Sequence, residues 1–432
     1  MPGLNIMPFA IKRNKEKLKV LTCTYACISD PDRRFGDGGE GVLGWNIVKQ
    51  LARFHQTFVL THSENRETIE KALKRESLPN VNFYYLDLPR WLHLLNRFSG
   101  GVQIYAYLWQ IKAYFVARKL HKKFYFDVFH HLTYANDWMA SFIGAFLPIS
   151  YIRGPGGGAH YVPRGFLSEF SFFNRFSQYL RSIGQWFFRH DPFFILGQKR
   201  ARAILVCNRE SFEAIPKKWQ DKTYLFPVNG ISKEDLELLS KTEKKDNNKF
   251  KVLSTGKLLP IKGFSLAIKA FKIFSDKFPE TKFEIIGDGP ELICLKNLVQ
   301  QLRIKDKVQF KNWKPRDKFL AELASCDVFL FPSLRDGGGQ VVVEAMAAGK
   351  PVICLDIAGP GFHIENDWGI KIKPDFPEKA IKEMAEALEK LYFDKELRIR
   401  LSKAARERAE KFYHWDRLGE SLLKIYQSVL KI

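Results

Sequence analysis

The chain has 432 residues, of which 46% are hydrophobic, and it carries a formal net charge of +22 at pH 7. This length is too great for one core and predicts two domains of about 200 residues each. The six scattered cysteines exclude a zinc site of paired spacing and a dense disulfide scaffold, and no apolar run reaches the ~18 residues of a membrane span.

The net charge indicates attraction to a polyanion. Because zinc-finger spacing, an aromatic ribonucleoprotein motif and a KH-type loop are all missing, nucleic acid is not predicted as a partner. An anionic membrane surface is the favoured partner, and solubility alone is the alternative reason for the charge. The charged N-terminal segment and the scattered cysteines predict a cytoplasmic protein, peripheral at the inner face of the plasma membrane.

From Leu18 onward, apolar runs alternate with longer amphipathic segments, which is typical of parallel sheets covered by helices. The pattern predicts an α/β N-terminal domain over residues 1–231, with a helix over 42–54. Its strands are predicted over 18–24, 57–61, 83–86, 128–131, 150–153, 203–207 and 224–227.

Polar features follow several of these strands, at the edge where a parallel sheet binds its ligands. A glycine-rich turn with Gly38 and Gly39 follows the first strand, but it lacks the spacing of a dinucleotide fingerprint. His130 and His131 end a later strand, and strand register leaves open which of them faces the cleft. A lone histidine is more often structural than functional.

The segment from Tyr161 to Leu196 is dense in Phe, Trp and Tyr. Arginines at 164, 175, 181 and 189 are interleaved with these aromatic residues. This composition suits an interfacial helix on an anionic membrane. The alternative is a set of helices packed within the N-terminal domain.

The polar, charge-rich stretch 232–249 predicts a linker between the two domains. The alternation then resumes and predicts a second doubly wound domain over 250–413, followed by a last helical segment over 414–432. Strands are predicted over 251–254, 283–286, 308–310 and 328–331, and helices over 265–277, 291–302, 317–324, 340–348, 378–392, 395–412 and 415–430.

The segment 327–353 reads as a strand, a glycine loop, a helix and a second strand. Three consecutive glycines, Gly337, Gly338 and Gly339, let the backbone approach a ligand, and the free N–H groups of the following helix suit a diphosphate. Asp336 and Glu344 flank this unit, where Glu344 is expected to accept hydrogen bonds from sugar hydroxyls. The alternative is an ordinary loop before a helix with a solvated glutamate.

This segment resembles the signature of glycosyltransferase family 4, retaining enzymes of the GT-B fold that move a sugar from a nucleotide diphosphate donor. Three further segments fit the same family in the same order, and together they cover nearly all of the C-terminal half: Phe226–Ile231, Ser254–Gly263 and Phe283–Glu291. The resemblance implies GT-B architecture, with two Rossmann-like domains facing a central cleft and a final helix that returns to the N-terminal domain.

The resemblance also implies roles for residues of the C-terminal domain. Lys257 and Lys262 match the basic pair that neutralises the phosphates and the departing nucleotide, and Asp336 stands where the family usually has Glu. Lys257 itself stands where the family usually has Arg. The donor-binding set that the resemblance implies in this domain is Gly256, Gly337, Gly338, Gly339, Gln340 and Glu344.

In the N-terminal domain, the resemblance places Gly38 and Gly39 near the acceptor and the transferred phosphate group. It implies a histidine beside the donor sugar, for which we name His131 and keep His130 open. The Pro-Gly-rich loop Arg153–His160 resembles a loop of the same family and is expected to line the cleft, with a plain surface loop as the alternative.

These features predict a hexosyltransferase that uses a UDP-, GDP- or ADP-sugar and a lipid-linked or polysaccharide acceptor in cell-envelope glycan synthesis. No cofactor and no essential metal are predicted, because no Asp-x-Asp motif follows a strand of the C-terminal domain. Asp336 keeps one alternative open, a catalytically silent glycosyltransferase-like subunit. Another GT-B enzyme, such as a sugar-nucleotide epimerase, is the second alternative.

Overall fold

The computed structural model describes residues 17–29, 39–97, 100–242 and 249–430. Two fully parallel sheets are each covered by helices, which confirms the α/β prediction. The inner strands are mostly apolar and buried on both faces, as expected for parallel sheets between helical layers, whereas the edge strands of both sheets are partly exposed.

The N-terminal sheet has seven strands in the order β3-β2-β1-β4-β5-β6-β7. The order reverses between β1 and β4, and a parallel sheet opens its ligand crevice at such a reversal. The strands are β1 Lys19–Thr24, β2 Gln56–His62, β3 Val81–Leu86, β4 Val128–Thr133, β5 Ser150–Gly156, β6 Ala203–Val206 and β7 Thr223–Leu225.

The C-terminal sheet has six strands in the order β10-β9-β8-β11-β12-β13, with the reversal between β8 and β11. Lys262 lies in the loop after β8, and the glycine loop follows β11. Because these two strands are neighbours, the strand order brings Lys262 and the glycine loop to the same edge of the sheet. The strands are β8 Phe250–Thr255, β9 Thr281–Ile286, β10 Val308–Lys311, β11 Val328–Phe331, β12 Val352–Leu355 and β13 Gly369–Ile372.

Sixteen α-helices lie within the described ranges, and none of them is long and apolar enough to cross a membrane. They are α1 Gly39–Phe54, α2 Arg66–Arg75, α3 Gly101–Phe124, α4 Phe142–Phe146, α5 Phe172–Arg189, α6 Pro192–Arg200, α7 Arg209–Glu213, α8 Lys233–Lys241, α9 Phe264–Lys277, α10 Leu292–Gln301, α11 Arg316–Ser325, α12 Gln340–Ala347, α13 Ala358–His363, α14 Pro377–Phe393, α15 Lys395–Phe412 and α16 Trp415–Leu430.

The segment predicted as a linker contains α8. Ser232 caps this helix by accepting the N–H of Asp235, and Asp235 in turn pairs with Arg316 of α11 at 2.8 Å. Leu239 is buried in the core of the C-terminal domain. Residues 232–242 of the segment therefore belong to the C-terminal domain, whereas residues 243–248 lie outside the described residues and their role as a linker stays a prediction.

Helix α16 packs on the N-terminal domain against α1. Arg53 binds Asp416 at 2.7 Å, and the Tyr426 hydroxyl lies 2.8 Å from Nδ1 of His130 on β4. Trp415 and Tyr426 are buried in the same cluster as the inner face of α1. Helix α16, which follows the C-terminal domain in the sequence, therefore packs as part of the N-terminal domain.

Candidate functional site

The glycine loop between β11 and α12 is organised by Asp336. One carboxylate oxygen accepts the N–H groups of Gly338 at 3.2 Å and Gly339 at 2.8 Å, and the other binds Nζ of Lys262. Burial alone raises the pKa of Asp336, but the Lys262 ammonium and the Gly339 N–H outweigh it and hold the pKa below its usual value. Asp336 is therefore a fixed anion that shapes the loop.

The loop needs glycine for backbone conformation and for space. Gly339 precedes α12 with a φ of +72°, a left-handed conformation that favours glycine. A Cβ on Gly337 would lie 3.0 Å from the His160 ring, and one on Gly338 would lie 2.8 Å from the Asn229 amide. The glycine loop is thus packed closely against His160 and Asn229, which come before the C-terminal sheet in the sequence.

The N-terminal domain also binds the loop directly. Asn208 donates its amide N–H to the Gly337 carbonyl at 3.1 Å, and the Cys207 thiol donates to the same oxygen at 3.4 Å. Nearby, a Glu210 carboxylate oxygen accepts the backbone N–H of Ala358 at 2.6 Å. The two domains therefore meet around the glycine loop.

Three cationic side chains surround His160 beside Asp336: Lys262, Arg181 and Arg335. Burial, followed by the charge of Arg181, lowers the pKa of His160 to about 4, so this imidazole is neutral at pH 7. Burial, again followed by Arg181, lowers the pKa of Arg335 to about 10. These positive groups exceed the charge of Asp336, and the excess complements a diphosphate.

Sequence reasoning missed two cations of this group as site residues. Arg335 directly precedes Asp336, so its position was a usable signal. For the segment that contains Arg181, a membrane interface and packing within the N-terminal domain were the two alternatives, and its guanidinium points inward and donates to the Gly158 carbonyl at 3.1 Å. His160 lies within the loop that was expected to line the cleft, and it packs against Gly337.

Of the predicted lysine pair, the structure joins only Lys262 to the glycine loop. Lys257 is exposed, and its ammonium group makes no hydrogen bond or ion pair with the part of the chain that the structure describes. Gly256 has a φ of +149°, and its carbonyl lies 2.0 Å from where a Cβ of Gly287 would be. The loop that contains Gly256 and the loop that contains Gly287 lie so close together that a side chain at position 287 would not fit between them, and the positive φ of Gly256 favours glycine there.

Glu344 is almost fully buried in α12. One of its carboxylate oxygens accepts from Arg316 at 2.6 Å and from Gln340 at 3.1 Å, and the Gln340 amide also donates to the Gly230 carbonyl at 3.0 Å. The sequence predicted that Glu344 binds sugar hydroxyls, and it did not predict the ion pair of Glu344 with Arg316. Arg316 also binds both oxygens of Asp235, at 3.1 and 2.8 Å, so Glu344 belongs to a buried charge network.

The two histidines of β4 point to opposite faces of the sheet, and both are fully buried. His130 lies 2.6 Å from the Gly154 carbonyl and bonds Tyr426, whereas His131 lies 3.1 Å from the Gln110 amide of α3. Burial lowers the pKa of each to about 3. His131 is not part of the group around Gly337, and its catalytic role stays a prediction.

The predicted turn of the N-terminal domain is described only in part. Gly38 lies outside the described residues. Gly39 begins α1, and a Cβ there would meet open space. A ligand therefore has room at this position.

Sequence reasoning also missed His363 at the end of α13. Its Nε2 donates to the Gly338 carbonyl at 2.5 Å, and its Nδ1 lies 2.9 Å from the Tyr413 hydroxyl. Burial lowers the pKa of His363 to about 4. This neutral histidine fixes the carbonyl of the middle glycine, and only the folded chain brings residues 338, 363 and 413 together.

Within the described ranges, no group of three or more His, Cys, Asp or Glu side chains is arranged to hold a metal ion. The side chains named above and the N-terminus of α12 supply positive charge at the site.

Residues 236–408 match the family model for glycosyl transferases group 1. An uncharacterized glycosyltransferase of Haemophilus influenzae is 29% identical over 236 residues, which is 52% of this chain and 64% of that protein. The alignment therefore spans less than two thirds of that relative's length.

Solved structures resemble this chain over nearly its full length. Sucrose-phosphate synthase from Thermosynechococcus elongatus has a TM-score of 0.66 at 17% identity, covering 96% of this chain and 100% of the other. HepE of Anabaena, solved with UDP and glucose, has a TM-score of 0.61 at 16% identity and covers 95% and 100%. WaaG, a glycosyltransferase involved in lipopolysaccharide biosynthesis, has 0.60 at 17% and covers 94% and 99%. These likenesses confirm the GT-B architecture.

Proposed function

Because residues 236–408 form a group 1 glycosyl transferase domain, we propose that this chain transfers a hexosyl group from a nucleotide diphosphate sugar, with retention. The acceptor is a lipid-linked or polysaccharide glycan of the cell envelope, reached from the cytoplasmic side of the membrane. The observation that carries the proposal is the positively charged group around the glycine loop. It lies at the strand-order reversal of the C-terminal sheet, where such a sheet binds ligands.

In the proposed reaction, the bond between the anomeric carbon and the phosphate oxygen breaks. The acceptor oxygen bonds to the anomeric carbon on the same face, and its proton passes to the departing phosphate oxygen. Negative charge grows on that diphosphate in the transition state. Lys262, Arg335 and the free N–H groups of α12 stabilise this charge inside a partly buried site.

The neighbours support this assignment in two ways. HepE was solved with UDP and glucose, and WaaG is involved in lipopolysaccharide biosynthesis. We therefore take a nucleotide sugar as the donor and an envelope glycan as the acceptor class. UDP-, GDP- and ADP-sugars all remain candidates, because the described contacts do not select a base.

A thermal-shift screen against UDP, GDP, ADP and their sugars tests the donor. We expect one nucleotide family to raise the Tm and Lys262→Ala to reduce that shift. Lys269→Ala is the matched control, because Lys269 forms a partly buried ion pair with Glu169 away from the glycine loop. The absence of any nucleotide effect would overturn the proposal.

Transfer is then tested by following nucleotide release with and without a glycan acceptor. Acceptor-dependent release supports a transferase. Nucleotide binding without turnover would favour the silent subunit, and conversion of the donor sugar without an acceptor would favour an epimerase.

A further inference from the structure

Helix α5 has its apolar face outward and its polar face inward. Side chains at spacings of three and four residues form one apolar stripe, which a helix of a soluble domain normally buries. In α5 they are exposed: Phe172, Phe173 (81%), Phe176, Tyr179, Leu180, Ile183, Trp186 (63%) and Phe187. The buried residue of this helix is instead Gln185.

The inward face of α5 binds the functional site. Gln185 and Arg181 donate to the Gly158 carbonyl at 2.9 and 3.1 Å, and Gln178 accepts from the Arg335 guanidinium. Gly158 belongs to the loop that carries His160, and Arg335 precedes Asp336. This helix therefore contacts the site loops of both domains.

The apolar face continues onto α3, α4 and α6 through ring contacts with centroid distances of 5.1 to 6.1 Å. The contacts join Phe115, Tyr114, Phe146, Phe193, Phe142, Tyr107, Phe188 and Phe187 in that order. Phe115 at one end is 55% exposed, and Phe187 at the other is 67% exposed. Phe142 within this chain of contacts is buried, so the contacts pack the four helices against one another. The outward stripe of α5 and the exposed rings at the two ends together form what we call the α3–α6 surface.

The four helices of the α3–α6 surface carry basic residues only, whereas Asp191, between α5 and α6, accepts from the Tyr107 hydroxyl at 2.8 Å. The four helices contain ten Lys and Arg residues and no Asp or Glu. Exposed basic residues Arg118, Lys119 and Lys122 lie one or two turns beyond Phe115 on α3. Lys and Arg beside exposed aromatic residues suit an anionic lipid interface.

We propose that the α3–α6 surface rests on an anionic lipid bilayer, with the outward stripe of α5 inserted, and that this contact orders the Gly158 loop and Arg335. The inference rests on the proposed function and adds the lipid class and the contact to it. A second copy of the chain is a poor occupant, because a self-complementary interface here would bring the same positive charges together.

Vesicle cosedimentation tests the surface, with phosphatidylcholine alone and with 30% phosphatidylglycerol, over a salt series. We expect binding only with the anionic lipid and a loss of binding as salt rises, because surface charges are screened beyond ~8 Å at physiological ionic strength. Phe173→Ser with Trp186→Ser should reduce binding at least tenfold. Ile293→Ser with Ile399→Ser is the control, since those residues are 72% and 57% exposed on the other domain.

Charge is tested separately. Arg118→Glu with Lys122→Glu should also release the protein from anionic vesicles, whereas Lys395→Glu with Lys403→Glu, at exposed positions of α15, should not. An equal loss of vesicle binding in both double variants would show that net charge alone drives binding, and it would overturn the assignment of the α3–α6 surface to the membrane. Arg181 is left unchanged, because it binds Gly158 at the site.

Amide hydrogen exchange tests the link to the site. Anionic vesicles should slow exchange in segments 154–160 and 335–339 of the wild-type chain and leave it unchanged in Phe173→Ser with Trp186→Ser. Gln185→Ala should still bind vesicles but lose the slowing at Gly158. The nucleotide-induced Tm shift of the wild-type chain separates the two proposals: an intact shift together with no binding to anionic vesicles overturns only this inference. Self-association that depends on Phe173 and Trp186 would assign the surface to a second copy instead.

Discussion

Lys262 and Asp336 form an ion pair that joins the loop after β8 to the loop after β11. The same carboxylate accepts two N–H groups of the glycine loop, so one side chain positions both a cation and the backbone of this loop. Because the ion pair holds Lys262 beside the loop, the cation is in place for the charge that develops on the leaving group in the proposed reaction.

Lys262→Ala should lower turnover by roughly 10²–10³-fold, the usual effect of losing one group that stabilises a developing anion. Steady-state kinetics with varied donor and varied acceptor measure this. The acceptor KM should stay near the wild-type value, and Lys269→Ala should retain activity. A change confined to acceptor affinity would assign Lys262 another role.

Glu344→Gln should weaken donor binding by ~1.5–3 kcal/mol, the range for a hydrogen bond to a charged group. It should also destabilise the C-terminal domain, because Arg316 is left in a buried network with less negative charge. Donor titration calorimetry and urea unfolding measure the two effects.

The control for Glu344 is Asp235→Asn, which changes the same network at a point on α8. We expect it to lower the free energy of unfolding while leaving donor affinity intact. Equal donor loss in both variants would show that Glu344 acts only through stability.

Gly338→Ala should loosen the contact between the glycine loop and the N-terminal domain, because a Cβ would lie 2.8 Å from Asn229 and from Val228. We expect a lower Tm and at least tenfold less activity. Gly184→Ala on α5 is the matched control, since its Cβ meets open space and Ala favours a helix by up to ~1 kcal/mol. A similar Tm and similar activity in the Gly338→Ala and Gly184→Ala variants would contradict the close packing of Gly338 against Asn229 and Val228.

The free energy of unfolding should fall as the pH is lowered from 7 to 5. Burial depresses the pKa of several histidines to about 3 or 4, so the folded state keeps them neutral while the unfolded state protonates them near pH 6.5. Each such histidine therefore contributes stability above pH 6.5 that is lost below it, by up to ~1.4 kcal/mol per pH unit. The histidines are His55, His130, His131, His160 and His363.

Urea unfolding at pH 7, 6 and 5 measures this slope. His130→Asn should make it shallower, whereas His190→Asn should not, because His190 is exposed. An unchanged slope in His130→Asn would mean that His130 is protonated in the folded state.

Much of the fold was predictable because its inner strands are buried on both faces and form short apolar runs between segments of helical periodicity. The glycine loop was also predictable, since three adjacent glycines and an acid are a local pattern. Lys262 and Asp336 lie 74 residues apart, and the order of β8 and β11 brings them together. The family resemblance assigned both residues to the site, but it did not predict their ion pair.

Other parts of the site were not predictable from local pattern. His160, Arg335 and Arg181 become neighbours only through contacts between domains and with α5. The amphipathic period of α5 predicts that one face is apolar, but it does not state whether that face meets the core or the solvent. Because side chains alternate along a strand, His130 and His131 must lie on opposite faces of the sheet. Which helix each histidine contacts is determined by the packing of α16 against His130 and of α3 against His131.

The crossing of α16 has a consequence for biosynthesis. The first 230 residues emerge from the ribosome long before the Tyr426 hydroxyl can reach His130, or Asp416 can reach Arg53. Domains usually fold in the order of their synthesis. The N-terminal domain therefore leaves the ribosome with the α16-binding face of α1 uncovered until residues 415–430 have been synthesised, so truncation before residue 415 leaves that apolar face exposed to solvent.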